Sequence, residues 1–237
     1  SKSSINLLSI TFLIITTLHP ESIVDGTERN RLFNLYLKAL ESIQYSNFKV
    51  LIVADKELNL GDRFKIIVDT SKSKEKRLVK AKEYLENTKE IFDYILRLDD
   101  DDILNPNIFN EVDGLDCDVY TDEFHSFYDI SSGKIAQQKR NWFPNTTIMS
   151  FELAFKNLYL DNALFFNFQH SSWHEYMLNE QKLIKFASKN NPVYLRVLNP
   201  DSITSQLVKD GYKKYLTQFG NWNEKELIDF RGVMPTH

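Results

Sequence analysis

Cysteine is almost absent from this chain of 237 residues, since Cys117 is the only one. A single cysteine excludes an internal disulfide framework and is typical of a reducing compartment. We therefore expect a cytoplasmic protein, either free or at the inner face of a membrane. Asp116 and Asp118 flank the thiol and should raise its pKa, which argues against a reactive nucleophile there.

Long apolar runs are missing as well. The longest, Leu7 to Leu18, has about a dozen residues and is interrupted by serine and threonine, whereas a transmembrane helix needs roughly 20 apolar residues. No small-residue cleavage site follows the run, so a buried first strand explains it better than a signal peptide. The chain opens with Ser1-Lys2-Ser3-Ser4 instead of methionine, and a piece of a larger multidomain chain is one expectation.

The chain also lacks excess positive charge, internal repeats and low-complexity linkers. Its net charge of −4 argues against nucleic acid as the main partner, and its 42% of hydrophobic residues can fill a sizeable core. No glycine-rich phosphate loop follows the first strand, where His19-Pro20-Glu21-Ser22 stands instead. The length predicts one α/β domain over residues 1–237.

The most informative segment is an apolar run, Tyr94–Leu98, that leads into four consecutive carboxylates, Asp99–Asp102, and stops at Asn105-Pro106. This pattern indicates a buried strand that carries negative charge to its carboxyl end, where open α/β folds place their ligands. Adjacent carboxylates repel one another, and burial increases the repulsion. A divalent cation would relieve it, so we predict a site for Mg²⁺ or Mn²⁺.

Two other structures could account for an acidic run. Acidic runs are commonly solvated loops or helix caps, but this one has apolar residues on both sides. The aspartate-rich metal site of prenyl-diphosphate enzymes requires long helices, whereas the residues before Asp99 have the pattern of a strand.

Strand and helix patterns alternate in the first half of the chain, which predicts a parallel sheet covered by helices. The predicted strands are Leu7–Thr17, Phe48–Ala54, Phe64–Val68 and Tyr94–Leu98, and the predicted helices are Glu28–Ile43 and Ser73–Thr88.

The second half reads as a more antiparallel arrangement. Its predicted strands are Asp118–Thr121, the segment to about Ile135 around a Ser131-Ser132-Gly133 turn, Thr146–Phe151, Leu164–Phe168 and Pro192–Val197. Its predicted helices begin at Ser172, with capping-box spacing to Glu175, and cover Ser202–Lys209 and Glu224–Phe230.

Residues Tyr94 to Pro106 resemble the Asp-x-Asp segment of GT-A fold glycosyltransferases. The run from Arg97 to Asp102 is similar to the Arg-Leu-Asp-x-Asp-Asp run of bacterial rhamnosyltransferase-type and capsule-type enzymes. His170-Ser171, Tyr194–Val197 and Phe48–Asp55 match shorter elements of the same sequences, over about residues 5–205. The chain departs from the pattern at Leu198-Asn199, where these sequences often have a histidine, so the last metal ligand is open.

The resemblance implies an α/β fold of GT-A (nucleotide-diphospho-sugar transferase-like) type, a mixed sheet flanked by helices. It implies a metal-dependent, inverting transfer of a sugar from a nucleotide-diphosphate donor to a glycan or lipid-linked glycan, in surface polysaccharide synthesis. The nucleotide-sugar half would cover about residues 1–110, the acceptor side about 111–210, and a helical appendage about 211–237. A non-catalytic sugar-nucleotide-binding domain and a nucleotidyltransferase stay open as alternatives.

In such a transfer, residues near strand ends would bind the metal and the donor. Asp101 would be the main metal ligand, with Asp99 and His170 as further ligands. The groups expected to bind the donor nucleotide or sugar, or to orient those that do, are Asp55, Asp69, Arg97, Asp99 and Asp100.

The acceptor side needs a general base and a surface for a sugar. Candidate bases are Asp122, Glu123, Asp161 and Glu175, although a capping box alone would explain Glu175. His174 is a weaker site candidate than His170. A stacking platform could be formed by Trp142, Trp173, Phe127 and Tyr128, although most aromatic residues are simply core.

Overall fold

The structure is a computed structural model that describes residues 9–131, 133–159, 162–163, 165–166, 170–198 and 227–228. Its strands are β1 (Phe12–Thr17), β2 (Phe48–Ala54), β3 (Phe64–Val68), β4 (Tyr94–Arg97), β5 (Ile103–Leu104), β6 (Val119–Thr121), β7 (Phe124–Asp129), β8 (Lys134–Lys139), β9 (Ile148–Ser150), β10 (Asn157–Tyr159), β11 (Asn162–Ala163), β12 (Ile184–Phe186) and β13 (Tyr194–Leu198). Its α-helices are α1 (Glu28–Glu41), α2 (Lys74–Thr88), α3 (Ile108–Asp113), α4 (Phe151–Ala154) and α5 (Trp173–Asn179). Short 3₁₀ turns cover Pro20–Ile23 and His170–Ser172.

The main sheet has seven strands in the order β12-β6-β9-β4-β1-β2-β3. The four strands β4, β1, β2 and β3 are all parallel. Strand β9 is antiparallel to both β4 and β6, so the sheet is mixed. Because β1 and β4 run side by side in the same direction, the segments that follow them meet at one edge of the sheet.

A second sheet has four strands in the order β5-β13-β7-β8. Strand β13 is antiparallel to β5 and parallel to β7, and β7 and β8 form an antiparallel hairpin. The chain leaves the main sheet after Arg97 and enters the second sheet at Ile103, so the Asp99–Asp102 run lies where the two sheets meet.

Helices cover both faces of the main sheet. Side chains of β1 alternate, with Phe12 and Ile14 packing in the cluster that contains α1, and Leu13 and Ile15 in the cluster that contains α2. Each of these side chains is at most 3% exposed, and burial of one of that size contributes about 1.5–3 kcal/mol. Both faces of β1 are therefore apolar, which explains why its sequence has no polar alternation.

The first-half elements confirm the predicted alternation. Strands β2 and β3 have the predicted bounds, β1 and β4 are shorter than predicted, and α1 ends at Glu41 rather than Ile43. Burial raises the pKa of the Cys117 thiol, and Asp118 and Asp116 raise it further, as predicted. No described helix is long and apolar enough to span a membrane.

Two predictions in the second half are wrong. Phe165 and Phe166 lie in a turn and not in a strand, and the other residues of the predicted Leu164–Phe168 strand lie outside the described part. The capping box at Ser172 does not form, because the preceding 3₁₀ turn holds Ser172 in a helical conformation and its side chain makes no cap hydrogen bond. The predicted helix Ser202–Lys209 lies outside the described residues, and Leu227 and Ile228 of the last predicted helix are helical.

Candidate functional site

The acidic run folds into a tight turn directly after β4. The backbone N–H of Asp102 donates to the carbonyl of Asp99 at 3.1 Å, which brings the side chains of this turn together. One carboxylate oxygen from each of Asp99, Asp101 and Asp102 lies within 4.8 Å of the other two, and these three side chains could hold a metal ion. We call them the carboxylate triad.

Crowding of the carboxylates changes their protonation. Burial, together with the charges of Asp100 and Asp99, raises the pKa of Asp101 to about 7. Burial and the charges of Asp101 and Asp99 raise the pKa of Asp102 well above its ordinary value, although the N–H of Val197 donates to Asp102 Oδ1 at 3.1 Å. The triad therefore holds protons near neutral pH, and a divalent cation could take their place.

Asp99 differs from its neighbours because cations surround it. Burial raises the pKa of Asp99, but Lys74, Arg196 and Arg97 outweigh burial and hold the pKa below its ordinary value. The ammonium of Lys74 lies 2.7 Å from Asp99 Oδ1, and the amide of Asn145 donates to the same oxygen at 3.5 Å. Asp99 is thus the member of the triad that is fully ionised at neutral pH, whereas Asp101 is only partly ionised.

Asp100 is not part of the triad, and its hydrogen bonds hold the segment that follows β1 in place. Its carboxylate accepts hydrogen bonds from His19 N at 2.8 Å, Ser22 Oγ at 2.6 Å and Arg29 Nη2 at 3.1 Å, and it is 3% exposed. Arg29 also reaches Asp101, with Nη1 3.9 Å from Oδ2. This arrangement ties the first turn of α1 to the acidic run.

A cleft of about 450 Å³ opens beside Asp99 and Asp100. Its cationic walls are formed by Arg29, Lys72, Lys74 and Arg77, and its other lining residues are Thr17, Leu18, His19, Pro20 and Glu21. Ser73 caps α2 by accepting a hydrogen bond from the N–H of Lys76 at 3.3 Å, so the helix begins at the wall of the cleft. Arg29 is paired with Asp100, and Arg77 is buried and donates to backbone carbonyls. The groups of the cleft that suit an anionic ligand are therefore Lys72, Lys74 and the amino end of α2.

Asp55 and Asp69 directly follow β2 and β3. Asp69 Oδ1 accepts from the N–H of Ser71 at 2.7 Å, which is an ordinary turn contact. Asp55 Oδ1 is buried and accepts no hydrogen bond from the described residues. Neither carboxylate is among the residues that line the 450 Å³ cleft, so a donor-binding function for them stays a prediction.

Arg97 lies under the acidic run, on the α2 face of the sheet. Its guanidinium stacks over the ring of Trp173 at 4.7 Å and lies 5.7 Å from the ring of Phe165. Burial lowers the pKa of Arg97 to about 10, while the charge of Asp99 raises it. The aromatic contacts fix the guanidinium in the core near Asp99, and both an orienting function and phosphate binding by Arg97 stay predictions.

Three histidines hold three consecutive backbone carbonyls. His174 Nδ1 lies 2.5 Å from the carbonyl oxygen of Asn141, His125 Nε2 lies 3.0 Å from that of Trp142, and His170 Nδ1 lies 2.9 Å from that of Phe143. A carbonyl only accepts, so each of these ring nitrogens carries the proton. In a neutral His170 this leaves the lone pair on Nε2, the form in which histidine binds metal.

The charge of Asp99 in the acidic run affects the pKa of His170. Burial and the charges of Arg97 and Lys74 lower the pKa of His170 to about 4, while Asp99 and the Phe143 carbonyl raise it. His170 is therefore neutral near pH 7. It does not belong to the triad of mutually close ligand atoms found among the described residues, so its function as a metal ligand stays a prediction.

A second cavity, of about 250 Å³, is lined in part by the segment of residues 140–143. It is lined by Asp122, Glu123, Lys139, Arg140, Asn141, Trp142, Phe143, His174 and Phe186. Two of the predicted bases thus share one cavity. Burial raises the pKa of Asp122 to about 8, although Val193 N donates to its carboxylate at 2.9 Å, and Glu123 accepts from Lys139 at 2.8 Å.

The remaining acceptor-side predictions have different outcomes. Glu175 lies on the exposed side of α5, and Asp161 lies outside the described residues. The stacking platform is wrong for three of its four members, because Trp173, Phe127 and Tyr128 are at most 5% exposed and pack in the core. Trp142 is 39% exposed and lines the second cavity.

Several cationic residues of the site escaped the sequence analysis. Arg29 and Arg196 lie far from the acidic run in sequence, so no local pattern connects them to it. Lys72, Lys74 and Arg77 did carry a signal, because a basic segment at the start of a helix that follows a strand is typical of anion sites.

Similarity to known proteins is found at the level of the fold. No family model and no curated protein matches the chain. Among solved structures, S. aureus TarS 1–349 is similar at 13% identity and a TM-score of 0.50, over 86% of this chain and 63% of that one. A 4-diphosphocytidyl-2C-methyl-D-erythritol synthase is similar at 14% identity and a TM-score of 0.50, over 84% and 98%.

The T. maritima inositol-1-phosphate CTP transferase has a TM-score of 0.47, too low to support an argument. Identities of 13% and 14% support a common fold and nothing finer, and the chain spans 63% of the length of the TarS chain. With its mixed sheet flanked by helices, the chain has the predicted nucleotide-diphospho-sugar transferase-like fold.

Proposed function

We propose that this chain is a metal-dependent glycosyltransferase of GT-A type, which moves a sugar from a nucleotide-diphosphate donor to a glycan acceptor. The observation that carries the proposal is a carboxylate triad of metal-binding geometry, one member of which lines a cleft with four cationic side chains. A nucleotide diphosphate fits both features, since its phosphates need a divalent cation and direct positive charge.

The donor diphosphate would lie between the triad and the first turn of α2. Lys72 and Lys74 line this part of the cleft, and the amino end of the helix adds backbone N–H groups. A metal on the triad would neutralise the charge that develops on the leaving diphosphate. Mg²⁺ and Mn²⁺ both suit ligands that are all oxygen.

Lys74 would change partner when donor and metal bind. Its ammonium lies 2.7 Å from Asp99 Oδ1, on a carboxylate that the cation also needs. Once a cation binds Asp99, its attraction for Lys74 weakens, and the flexible lysine side chain can turn to a phosphate oxygen. Lys74 would then contact the diphosphate next to the triad.

Other site functions carry over from the sequence as proposals. Asp101 would be the main metal ligand, and His170 could add a nitrogen ligand through Nε2. Asp55 and Asp69 would bind the base or ribose, and Asp100 would bind donor hydroxyls only if it released its contacts with Arg29. The general base is proposed from among Asp122, Glu123, Asp161 and Glu175.

Asp122 has one constraint as a general base. Because its pKa is raised to about 8 by burial, Asp122 keeps its proton near neutral pH and could accept one from an acceptor hydroxyl only at higher pH. Glu123 lines the same cavity without deep burial, in contact with Lys139. The inverting outcome, the surface polysaccharide or lipid-linked acceptor, and the location at the inner face of a membrane are proposals that rest on the sequence resemblance.

A nucleotidyltransferase is the second candidate, and one observation favours keeping it. The diphosphocytidyl-methylerythritol synthase and TarS have the same TM-score to this chain, so fold similarity does not separate the two reaction classes. The products do: a glycosyltransferase releases free nucleoside diphosphate, a nucleotidyltransferase releases pyrophosphate, and a non-catalytic domain releases neither.

Nucleoside diphosphate binding is the first test of the proposal. We expect one of UDP, GDP, CDP, ADP or TDP to bind at least about tenfold more tightly with Mn²⁺ or Mg²⁺ than with excess chelator, because the metal joins the triad to the phosphates. Calorimetry measures the affinities. In a thermal-shift screen, a ligand at a hundredfold its Kd should add about 2.7 kcal/mol to the free energy of unfolding. Equal affinity with and without chelator would assign the triad a structural function instead.

His170 provides a second test, with a matched control in the same segment. We expect His170→Ala to lower turnover by about tenfold, or about 1.4 kcal/mol in activation free energy, because His170 is electrostatically coupled to Asp99. His174→Ala removes an equivalent hydrogen bond to the neighbouring carbonyl of Asn141 and should lower turnover less. Steady-state kinetics of both variants at equal folded fraction would refute the assignment if His174→Ala lost more.

A further inference from the structure

Arg77 uses its side chain on the backbone of two separate loops. It lies in α2 and is 5% exposed, and its guanidinium donates to three backbone carbonyls, those of Leu18, Asp69 and Ser71. The bond from Nε to Ser71 is 2.7 Å long and the bond from Nη2 to Asp69 is 3.3 Å long. A guanidinium carries its donors in a rigid plane, so its geometry suits several carbonyls at once.

The two loops follow strands that are not neighbours in the sheet. Leu18 comes directly after β1, in a segment we call the β1 loop (residues 18–21), and Asp69 and Ser71 belong to the β3 loop (residues 69–73), which leads into α2. Strand β2 lies between β1 and β3. Arg77 therefore joins two loops that the pairing of their strands does not bring into contact.

The peptide group between Leu18 and His19 is held on both sides. Its carbonyl accepts a hydrogen bond from Arg77, and its N–H donates to Asp100 Oδ2 at 2.8 Å. Leu18, His19 and Asp100 all line the 450 Å³ cleft. A peptide group bonded at both its carbonyl and its N–H cannot rotate without losing a hydrogen bond. Through this peptide group, Arg77 is connected to the acidic run.

The β3 loop leads to the two lysines of the cleft. Lys72 follows Ser71, and Lys74 begins α2, with its ammonium 2.7 Å from Asp99 Oδ1. Arg77 comes three residues after Lys74, so the two side chains are neighbours on the helix surface. A lysine side chain is long and flexible, so the position of its backbone limits where its ammonium can reach. By fixing the β3 loop, Arg77 limits where both ammonium groups can lie.

We infer that Arg77 is a positioning residue for the donor diphosphate. It holds the backbone that carries Lys72 and Lys74 at a fixed distance from the acidic run, and it does not itself bind the phosphates. The inference rests on the proposed function, in which the diphosphate lies between the triad and the first turn of α2. It adds a residue outside the ligand contacts on which the affinity for the diphosphate depends.

Two substitutions of Arg77 test the inference. Arg77→Lys and Arg77→Met both break the set of bonds to the carbonyls, and only Arg77→Lys retains a positive charge. We expect both to weaken binding of the nucleoside diphosphate that the wild-type chain binds with Mn²⁺ by about tenfold, the equivalent of one lost contact to a charged group. Calorimetry measures the affinities at a temperature at which circular dichroism shows each variant to be folded.

Direct contact between Arg77 and a phosphate leads to a different pattern. Arg77→Lys would then keep most of the affinity, because a lysine still offers its charge to a phosphate. The losses in Arg77→Met and Lys74→Met would also add. If Arg77 acts through Lys74, the effect of Arg77→Met should instead be at least about threefold smaller in a Lys74→Met background. Retained affinity in Arg77→Lys, or additive losses, would overturn the inference.

Arg63→Met is the matched control for loss of stability. Arg63 Nη1 donates to the backbone carbonyls of Ser46 and Phe48 at 3.1 and 2.7 Å, and Arg63 does not line the cleft. Its substitution should lower the melting temperature and leave nucleotide affinity unchanged. If Arg77→Met behaved in the same way, the hydrogen bonds of Arg77 would be structural only and the inference would be wrong.

The outcomes distinguish failure of this inference from failure of the proposed function. Metal-dependent binding of a nucleoside diphosphate that is equally tight in wild type and in the Arg77 variants would overturn the inference and leave the proposed function intact. A wild-type chain that binds no nucleoside diphosphate with metal would refute the proposed function, and the inference with it. If Arg77→Met does not fold, Arg77→Lys, alone and combined with Lys74→Met, decides the question.

Discussion

Asp101→Asn is expected to lower metal-dependent turnover by at least about a hundredfold while the protein stays folded. Asp101 contributes one of three mutually close carboxylates, and an amide is a much weaker ligand for a hard cation. Under the proposed function, loss of the metal would remove the main electrostatic stabilisation of the leaving diphosphate, and such losses are on the order of a hundredfold to a thousandfold. Kinetics at saturating Mn²⁺ measure the effect.

Although Asp101→Asn should lower turnover, it should raise the stability of the metal-free protein. Asp101 is crowded by Asp100 and Asp99, so a neutral residue there removes repulsion and should raise the melting temperature slightly. Asp62→Asn is the matched control, since Asp62 is an exposed carboxylate outside the cleft. Full activity of Asp101→Asn in Mn²⁺, at the same metal concentration as wild type, would show that Asp101 is not a ligand.

The pH dependence of metal binding gives the same assignment an independent readout. The pKa of Asp101 is raised to about 7, so the apo protein gains stability from this group at low pH and loses it as pH rises through 7. A metal binds the ionised form, and the rise in melting temperature on adding Mn²⁺ should therefore grow between about pH 5.5 and pH 8. Asp101→Asn should remove the part of this profile that lies near pH 7, while Asp102 keeps its own pH dependence. Asp122 would still lower apo stability toward pH 8.

Local patterns predicted the first-half strands and the close grouping of the acidic run at a strand end. Strands β2 and β3 have the predicted bounds because their ends carry turn signals and their apolar runs are short and bounded. The acidic run was informative because four adjacent carboxylates after a buried strand have few stable arrangements without a cation. Such signals lie within about ten residues of chain, where one sequence is enough.

Contacts between residues far apart in the chain could not be predicted from the sequence. Arg29 pairs with Asp100 across 71 residues, and nothing in the local pattern of α1 marks one arginine among its polar residues. The same limit explains Trp173, whose ring packs on Arg97 in the core rather than in a platform, since aromatic residues carry no sign of which side they face. The capping box predicted at Ser172 failed for a local reason. The spacing of Ser172 and Glu175 does not show that a 3₁₀ turn precedes the helix.

Asp100→Asn is expected to destabilise the fold by about 3 kcal/mol or more. The carboxylate of Asp100 accepts from His19, Ser22 and Arg29, and an asparagine amide can accept with one oxygen only. The charge of Arg29 would remain partly buried without its main partner, and breaking a buried ion pair from one side costs about 3–5 kcal/mol. Urea unfolding of the apo protein at constant pH measures the difference.

A double-mutant cycle distinguishes this structural function from donor binding by Asp100. Asp100→Leu combined with Arg29→Met removes both charges, so the pair should be less destabilised than the sum of the two single variants by at least about 1 kcal/mol. The predicted donor contact leads to a different result. If Asp100→Asn changed the free energy of unfolding by less than about 1 kcal/mol and yet abolished nucleotide binding, Asp100 would be a ligand of the donor. The contacts with His19, Ser22 and Arg29 would then be ones that the protein gives up when the donor binds.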